Sequence, residues 1–407
     1  MKALTYVRLS LMMFLEFFIW GGWFVTMGTF LLQTLNATGG ETAMAYSTQS
    51  WGAIVAPFII GLIADRFFNA ERILGVLHLI GAFLMYQLSK ATDFNAFYPY
   101  VLGYMIAYMP TLALVNSVSF NQMKDPAKFF PFVRVWGTGG WIAAGVLISV
   151  LAWDSETGVA NGLLSKTFFM TAIASAILGV YSFTLPKTPP SGKGEKASIG
   201  AILGLDALKL LKDRNFLVFF ISSVLICIPL AFYYQNLSPY LVESGVSGST
   251  GKAALGQVSE ILFMLLLPFF FKRFGFKMTI VVGMLAWAVR YLLFAYGNAG
   301  ELAFMIIVGI LLHGICYDFF FVSGQIYTDS KAGEKVKSAA QGLITLATYG
   351  VGMLVGFYVA GKITDANIIE EGGHVWKSIW TFPAIFAAAV LVLFALLFKN
   401  ENIEYKE

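Results

Sequence analysis

Stretches of about 20 predominantly apolar residues recur along the whole chain, separated by short polar connections, and few folds accommodate that pattern. Twelve are read, at about 8–33, 43–64, 73–90, 97–120, 131–153, 165–185, 215–241, 250–271, 278–297, 302–327, 338–361 and 376–398. A helix needs about 20 residues to cross the hydrocarbon core of a bilayer. Inside that core every backbone N–H and C=O must be satisfied within the segment, which leaves helices as the reading for stretches of this length. The expected fold class is therefore an all-α membrane protein. Of the 407 residues 58% are hydrophobic and 12% charged, whereas a soluble domain carries about 25% charged residues. The surplus apolar surface has to face lipid. The first stretch is too long for a cleaved signal peptide, carries Glu16 and lacks a small-residue cleavage site.

The basic residues orient the chain. With both termini placed inside, 20 of the 27 Lys and Arg fall in cytoplasmic segments and 5 on the other side, with Arg134 and Arg290 inside stretches. That bias is a positive-inside signal and favours an even number of spans. The longest polar connection, 186–212, contains Pro186, Pro189, Pro190 and several lysines, then turns amphipathic near Leu203–Leu211 and reads in part as a surface helix. It divides the chain into a six-helix half at 1–185, a cytoplasmic linker at 186–212, a second six-helix half at 213–398 and a cytoplasmic tail at 399–407. Basic groups recur at the exit of the second stretch of each half, at Arg66 and at Lys272 and Arg273.

Five ionisable side chains lie within apolar stretches: Glu16, Arg134, Glu260, Arg290 and Asp318. Asp318 has the most severe setting, since Ile306–Gly324 contains no other full charge. A carboxylate at the bilayer centre costs roughly 2.5–3.5 kcal/mol on insertion scales, so it is kept only where it is paired, faces a wet cavity or takes up a proton. Arg134, Thr138 and Trp141 share one face of the fifth stretch, with Gly137, Gly139 and Gly140 leaving room beside them. Gln257 and Glu260 are one turn apart, Glu16, Trp20 and Trp23 form another stripe, and His313, Tyr317 and Phe320 line up beside Asp318. Aromatic faces with amide, guanidinium and carboxylate groups suit a small, flat, polar ligand, and a sugar fits that chemistry as well as a nucleoside does. Cys227 and Cys316 read as small buried hydrophobes, and His78, His313 and His374 share no ligand spacing. With no metal spacing and no nucleophile–base motif, the chain reads as neither an enzyme nor a nucleic-acid binder.

Gly61–Arg72 (GLIADRFFNAER) resembles the loop 2–3 signature of the major facilitator superfamily, which implies twelve helices in two halves and a gating role for Asp65 and Arg66. FPFVRVWGTGGW (Phe130–Trp141), AYMPTLALVNSVSF (Ala107–Phe120), GQVSEILFMLLLPFF (Gly256–Phe270), AWAVRYLLFAYG (Ala286–Gly297), YDFFFVSG (Tyr317–Gly324) and SAAQG (Ser338–Gly342) resemble the nucleoside:H+ symporter family nearly end to end. ILGLDALKLLK (Ile202–Lys212) resembles its linker. The resemblance implies a proton-coupled nucleoside importer of the bacterial inner membrane, driven by the proton gradient without a further cofactor, for which a monomer suffices. It implies substrate contacts from Arg134, Thr138, Trp141, Gln257, Glu260, Tyr317 and Asp318, with proton coupling at Asp318, Glu260 and Glu16.

Three positions depart from the family pattern. Its polar pair on the seventh stretch falls near Ala231 and Tyr234, so Tyr233, Tyr234 or Gln235 stands in, Tyr234 among the substrate contacts; a span-ten aromatic is His313; and a span-one glutamine is Glu16. Another polar solute (a sugar, a muropeptide fragment or a modified nucleoside) and a non-transporting membrane sensor remain as alternatives.

Overall fold

A computed structural model describes residues 3–59, 68–124, 126–190, 205–332, 337–370 and 372–401. The regular secondary structure among these residues is helical, apart from one isolated bridge between Ile368 and His374. Nine helices among the described residues are long and apolar enough to cross a membrane. Gly39–Ile59 and Ser165–Ser182 are helices of 21 and 18 residues outside that set. Ser249–Tyr296 covers both the eighth and the ninth apolar stretch. It breaks at Gly275, whose φ of 73° and ψ of 173° are open to glycine and costly for other residues. Large apolar side chains face outward, with Val150, Leu265 and Leu396 75%, 76% and 78% exposed, as lipid-facing surface requires.

The chain forms two compact units. The first comprises Met1–Ser198 with Ser247–Gly251, the second Ile199–Val246 with Lys252–Glu407. In the first unit Ala3–Gly21 packs mainly on Pro126–Val150, and Ala70–Leu88 on Ser165–Ser182. A Cβ on Gly140 would run into the Phe14 carbonyl, so glycine there sets how closely the first of these pairs approaches. Asp154 fastens the inserted segment. Its Oδ2 accepts from Ser149 Oγ at 2.6 Å, Ser249 Oγ at 3.2 Å and the Thr250 N–H at 2.7 Å, and the Gly251 N–H donates to Ser149 Oγ at 2.8 Å.

In the second unit Leu255–Tyr296 packs on Trp376–Leu397 and on the Ala303–Ala332 helix. Two π-helical turns, Asp318–Val322 and Leu346–Gly352, interrupt the helices at 303–332 and 337–365. Of the linker, 191–204 falls outside the described residues; Leu205–Lys212 is a 3-10 helix. Ala207 is fully buried against Ala340 and Leu343, with Leu210 partly buried beside them, while Leu208 is 43% exposed. Beyond it, Asn215 Nδ2 donates to the Lys399 carbonyl at 3.0 Å and to Glu401 at 2.7 Å, and Lys331 Nζ lies 2.9 Å from Glu401 and 3.2 Å from Asp213. These contacts hold the start of the tail.

Candidate functional site

The expected site residues fall into two sets, one per unit. In the first unit Arg134, Thr138 and Trp141 are all half-buried on one helix. The Arg134 guanidinium lies over the Phe17 ring at 4.0 Å, a cation–π contact that keeps the charge beside an apolar helix. Trp141 meets Trp20 edge to face at 5.7 Å, and Gly21 leaves room for the Trp141 ring. Gly139 faces open space, with nothing within 4 Å of a Cβ placed there.

Glu16 is fully buried in the same unit, and its network is closed. One carboxylate oxygen is 2.8 Å from His78 Nε2, the other accepts from Thr111 Oγ1 at 2.6 Å, and His78 Nδ1 is 3.2 Å from Ser175 Oγ. The Tyr108 hydroxyl donates to the Glu16 carbonyl at 2.8 Å. Trp23 is fully buried between Tyr104 and Phe168, in packing rather than at a cavity wall. Asp65 and Arg66 fall outside the described residues.

In the second unit small residues bring the reactive groups together. A Cβ on Gly314 would lie 2.5 Å from the Ser259 carbonyl, and one on Gly256 would lie 3.1 Å from His313. That close approach sets Glu260 3.8 Å from His313 Nε2. His313 is 5.2 Å from Tyr233 in a stacked pair, and its Nδ1 lies 3.1 Å from Arg290 Nη1. The Arg290 guanidinium sits 3.6 Å over the Tyr233 ring. Glu260, His313, Arg290 and Tyr233 therefore form one continuous polar ladder inside an apolar unit. Tyr233 and Gln235 are buried, whereas Tyr234 is half-buried, as are Gln257, Glu260 and Tyr317.

Asp318 is fully buried, and neither carboxylate oxygen has a hydrogen-bond partner among the described residues. Arg290 is engaged by aromatic rings and His313 rather than by this carboxylate. Next to Asp318, the Tyr317 hydroxyl is 2.7 Å from that of Tyr349.

Two partners escaped sequence reasoning. Tyr349 carries no charge to mark it, and only its place in a glycine-flanked ATYGVG string set it apart. His78 lies 62 residues from Glu16, beyond any local spacing rule. Both cysteines are buried free thiols, and the described residues contain no cluster of three or more potential metal ligands.

The first unit offers ring faces and a guanidinium group, and the second, by itself, ring faces, an amide, a guanidinium group and carboxylates. Comparison with known proteins finds relatives along nearly the whole chain. YegT of Escherichia coli (strain K12) is 44% identical over 410 residues, 98% of this chain and 95% of that protein. The xanthosine permease of the same organism is 33% identical, covering 97% of this chain and 96% of its own length. The crystal structure of the nucleoside transporter NupG superposes with a TM-score of 0.86 at 28% identity, covering 98% of this chain and 100% of that one. With the nucleoside H+ symporter family matched across residues 3–403, the chain belongs to that family, has the all-α major facilitator fold and is a transporter rather than an enzyme.

Proposed function

We propose that this protein imports nucleosides together with protons by alternating access, as a monomer in the bacterial inner membrane with both termini cytoplasmic. The observation that carries the coupling is Asp318, fully buried with neither oxygen bonded. An ionised carboxylate left so is expensive in a membrane interior, and a bound proton removes the charge. Glu260, 3.8 Å from His313, is the second carboxylate of the pathway. Glu16 has both oxygens engaged by His78 and Thr111, which favours a structural part for it over proton coupling.

Arg134, Thr138 and Trp141 in the first unit, and Tyr234, Gln257, Glu260, Tyr317 and Asp318 in the second, contact the nucleoside during the cycle. Rings stack on the base, while the amide and charged groups bond ring nitrogens and sugar hydroxyls. Asp65 and Arg66 serve the conformational change. The proton gradient drives transport, with no other cofactor. The charge distribution, with most Lys and Arg on one side, supports the orientation.

The test is uptake into proteoliposomes of labelled uridine, adenosine, xanthosine and sugars, with and without an inward proton gradient. Nucleosides should accumulate only with the gradient, and sugars should not. Full concentrative uptake after a protonophore, or in both Asp318→Asn and Glu260→Gln, would overturn the coupling.

A further inference from the structure

Three helices of the first unit, Ala3–Gly21, Pro126–Val150 and Ser165–Ser182, border a groove of about 600 Å³ apart from the residues assigned to nucleoside and proton. Ligand sites span roughly 300–1,000 Å³. Ser165–Ser182 supplies one wall through Lys166, Phe169, Met170, Ile173, Ala174 and Ile177, whose spacing places them on one face of the helix. Phe14 and Phe18, stacked with ring centroids 6.1 Å apart, and Leu147 supply the facing wall. Phe169, Ile173 and Ile177 are 46%, 49% and 53% exposed, so a continuous apolar strip lies open along the groove.

Only one end of this strip is charged. Lys166 is the second residue of its helix, and Trp153 lies just beyond Pro126–Val150, so both lining residues sit at the connection between the two helices. Lys166 is exposed and makes neither an ion pair nor a hydrogen bond among the described residues. Asp154, the carboxylate beside Trp153, is engaged by Ser149, Ser249 and Thr250, and Glu156 heads the separate Glu156–Ala160 helix. Lysine and tryptophan are the side chains that reach headgroup level while their apolar parts stay in the hydrocarbon. From Lys166 to Ile177 the helix rises about 16 Å at 1.5 Å per residue, and one leaflet contributes about 15 Å of the hydrocarbon core. The groove thus begins at a surface cation and runs the depth of one leaflet.

We propose that this groove binds one anionic phospholipid, with an acyl chain laid along the strip from Phe169 to Ile177 and the phosphate on the Lys166 ammonium. A wholly apolar partner would leave the ammonium uncompensated, and a soluble anion would leave the strip bare; a phospholipid answers both. In the orientation proposed above the lipid belongs to the outer leaflet. It lies against the helices that carry Glu16 and Arg134, and its binding is independent of proton coupling.

The test is native mass spectrometry of the full chain in detergent, titrated with dioleoyl phosphatidylglycerol or dioleoyl phosphatidylcholine. The two lipids have the same chains, and only the first carries a net charge. Wild type should retain one phosphatidylglycerol about fivefold more tightly than phosphatidylcholine, the contribution of one lysine beside anionic headgroups. Lys166→Gln should remove that preference, and its exposed position leaves the fold intact. Ile173→Trp fills the groove from a half-exposed position and should weaken retention of both lipids by about tenfold or more, the scale of displacing two methylenes from an apolar site. Equal retention of the two lipids by wild type, or an unchanged preference in Lys166→Gln, overturns the site. Wild-type retention in Ile173→Trp overturns it too, because the chain then lies elsewhere. A lipid-free dimer of wild type that Ile173→Trp disrupts would assign the groove to a second copy of this chain and overturn the proposal as well.

Discussion

Glu16 and Asp318 are both fully buried carboxylates, yet their surroundings make opposite demands. Glu16 has His78 at 2.8 Å and Thr111 at 2.6 Å, so removing it orphans two buried groups. We expect Glu16→Ala to lower unfolding stability by about 3 kcal/mol, read as a lower Tm in detergent, with Glu16→Gln much milder. Asp318 has no such partners. Asp318→Asn should therefore keep or raise Tm while abolishing gradient-driven uptake, and a marked fall in Tm would contradict the unbonded geometry. Glycines of one string separate similarly. Gly140→Ala drives a Cβ against the Phe14 carbonyl and should destabilise by a few kcal/mol, as overpacking does. Gly139→Ala meets nothing within 4 Å and should stabilise by about 0.5–1 kcal/mol through helix propensity. The sequence displayed all these residues, and their types sufficed to name Asp318, Arg134 and Glu260 as site candidates. What it did not display was which carboxylate is closed off and which glycine touches backbone, because those facts depend on partners 62 to 126 residues away.

At the scale of elements, the helices were legible because each apolar stretch is set by the bilayer's thickness, a constraint stronger than any local propensity. Departures from α-helix were not. A π turn adds one residue to a helix whose composition stays apolar, so no periodicity signals Asp318–Val322 or Leu346–Gly352. The Leu205–Lys212 segment showed its amphipathic face but not its partner, since a face that suits lipid also suits Ala340 and Leu343. Next to it, Asp213 caps the Arg214–Glu243 helix by accepting from the Phe216 N–H at 2.8 Å. Partial burial pushes its carboxyl up, but the Phe216 N–H and the Lys331 ammonium together hold it below the usual carboxylate range. A depressed group contributes stability above its unfolded value, and that contribution is lost as pH falls through the folded value. The contact between Asp213 and Lys331 should thus persist at neutral pH and weaken only below about pH 4. Asp213→Ala should cost about 1 kcal/mol at pH 7, the loss of one helix cap, and the difference in Tm from wild type should shrink on acidification.

For the whole molecule, the six-plus-six reading placed a boundary at the 186–212 linker from composition alone, and the compact units add something composition does not contain. Ser247–Gly251 belongs with the first unit although the chain on either side of it belongs to the second. The apolar pattern merely starts its eighth stretch at 250, whereas Asp154, 2% exposed and accepting from Ser149, Ser249 and the Thr250 N–H, and Ser149, accepting from the Gly251 N–H, reveal what the segment is tied to. Gly245 and Gly248, at φ of 75° and 61°, let the chain turn on its way into this contact. Hydrogen bonds to a charged acceptor are worth about 1.5–3 kcal/mol each, so one carboxylate dominates the attachment. If it does, Asp154→Ala should raise backbone deuterium exchange in the peptide spanning 247–251 by about tenfold or more, the effect of losing ~1.4 kcal/mol of local protection. Exchange in the Arg214–Glu243 helix should stay unchanged, because it packs chiefly on Met353–Asp365 and Trp376–Leu397. Equal exchange in mutant and wild type at 247–251 would mean that packing, not Asp154, keeps the segment in place. Exchange that rose throughout both units would instead make Asp154 a determinant of global stability, and the local attachment would no longer explain why five residues sit apart from their neighbours.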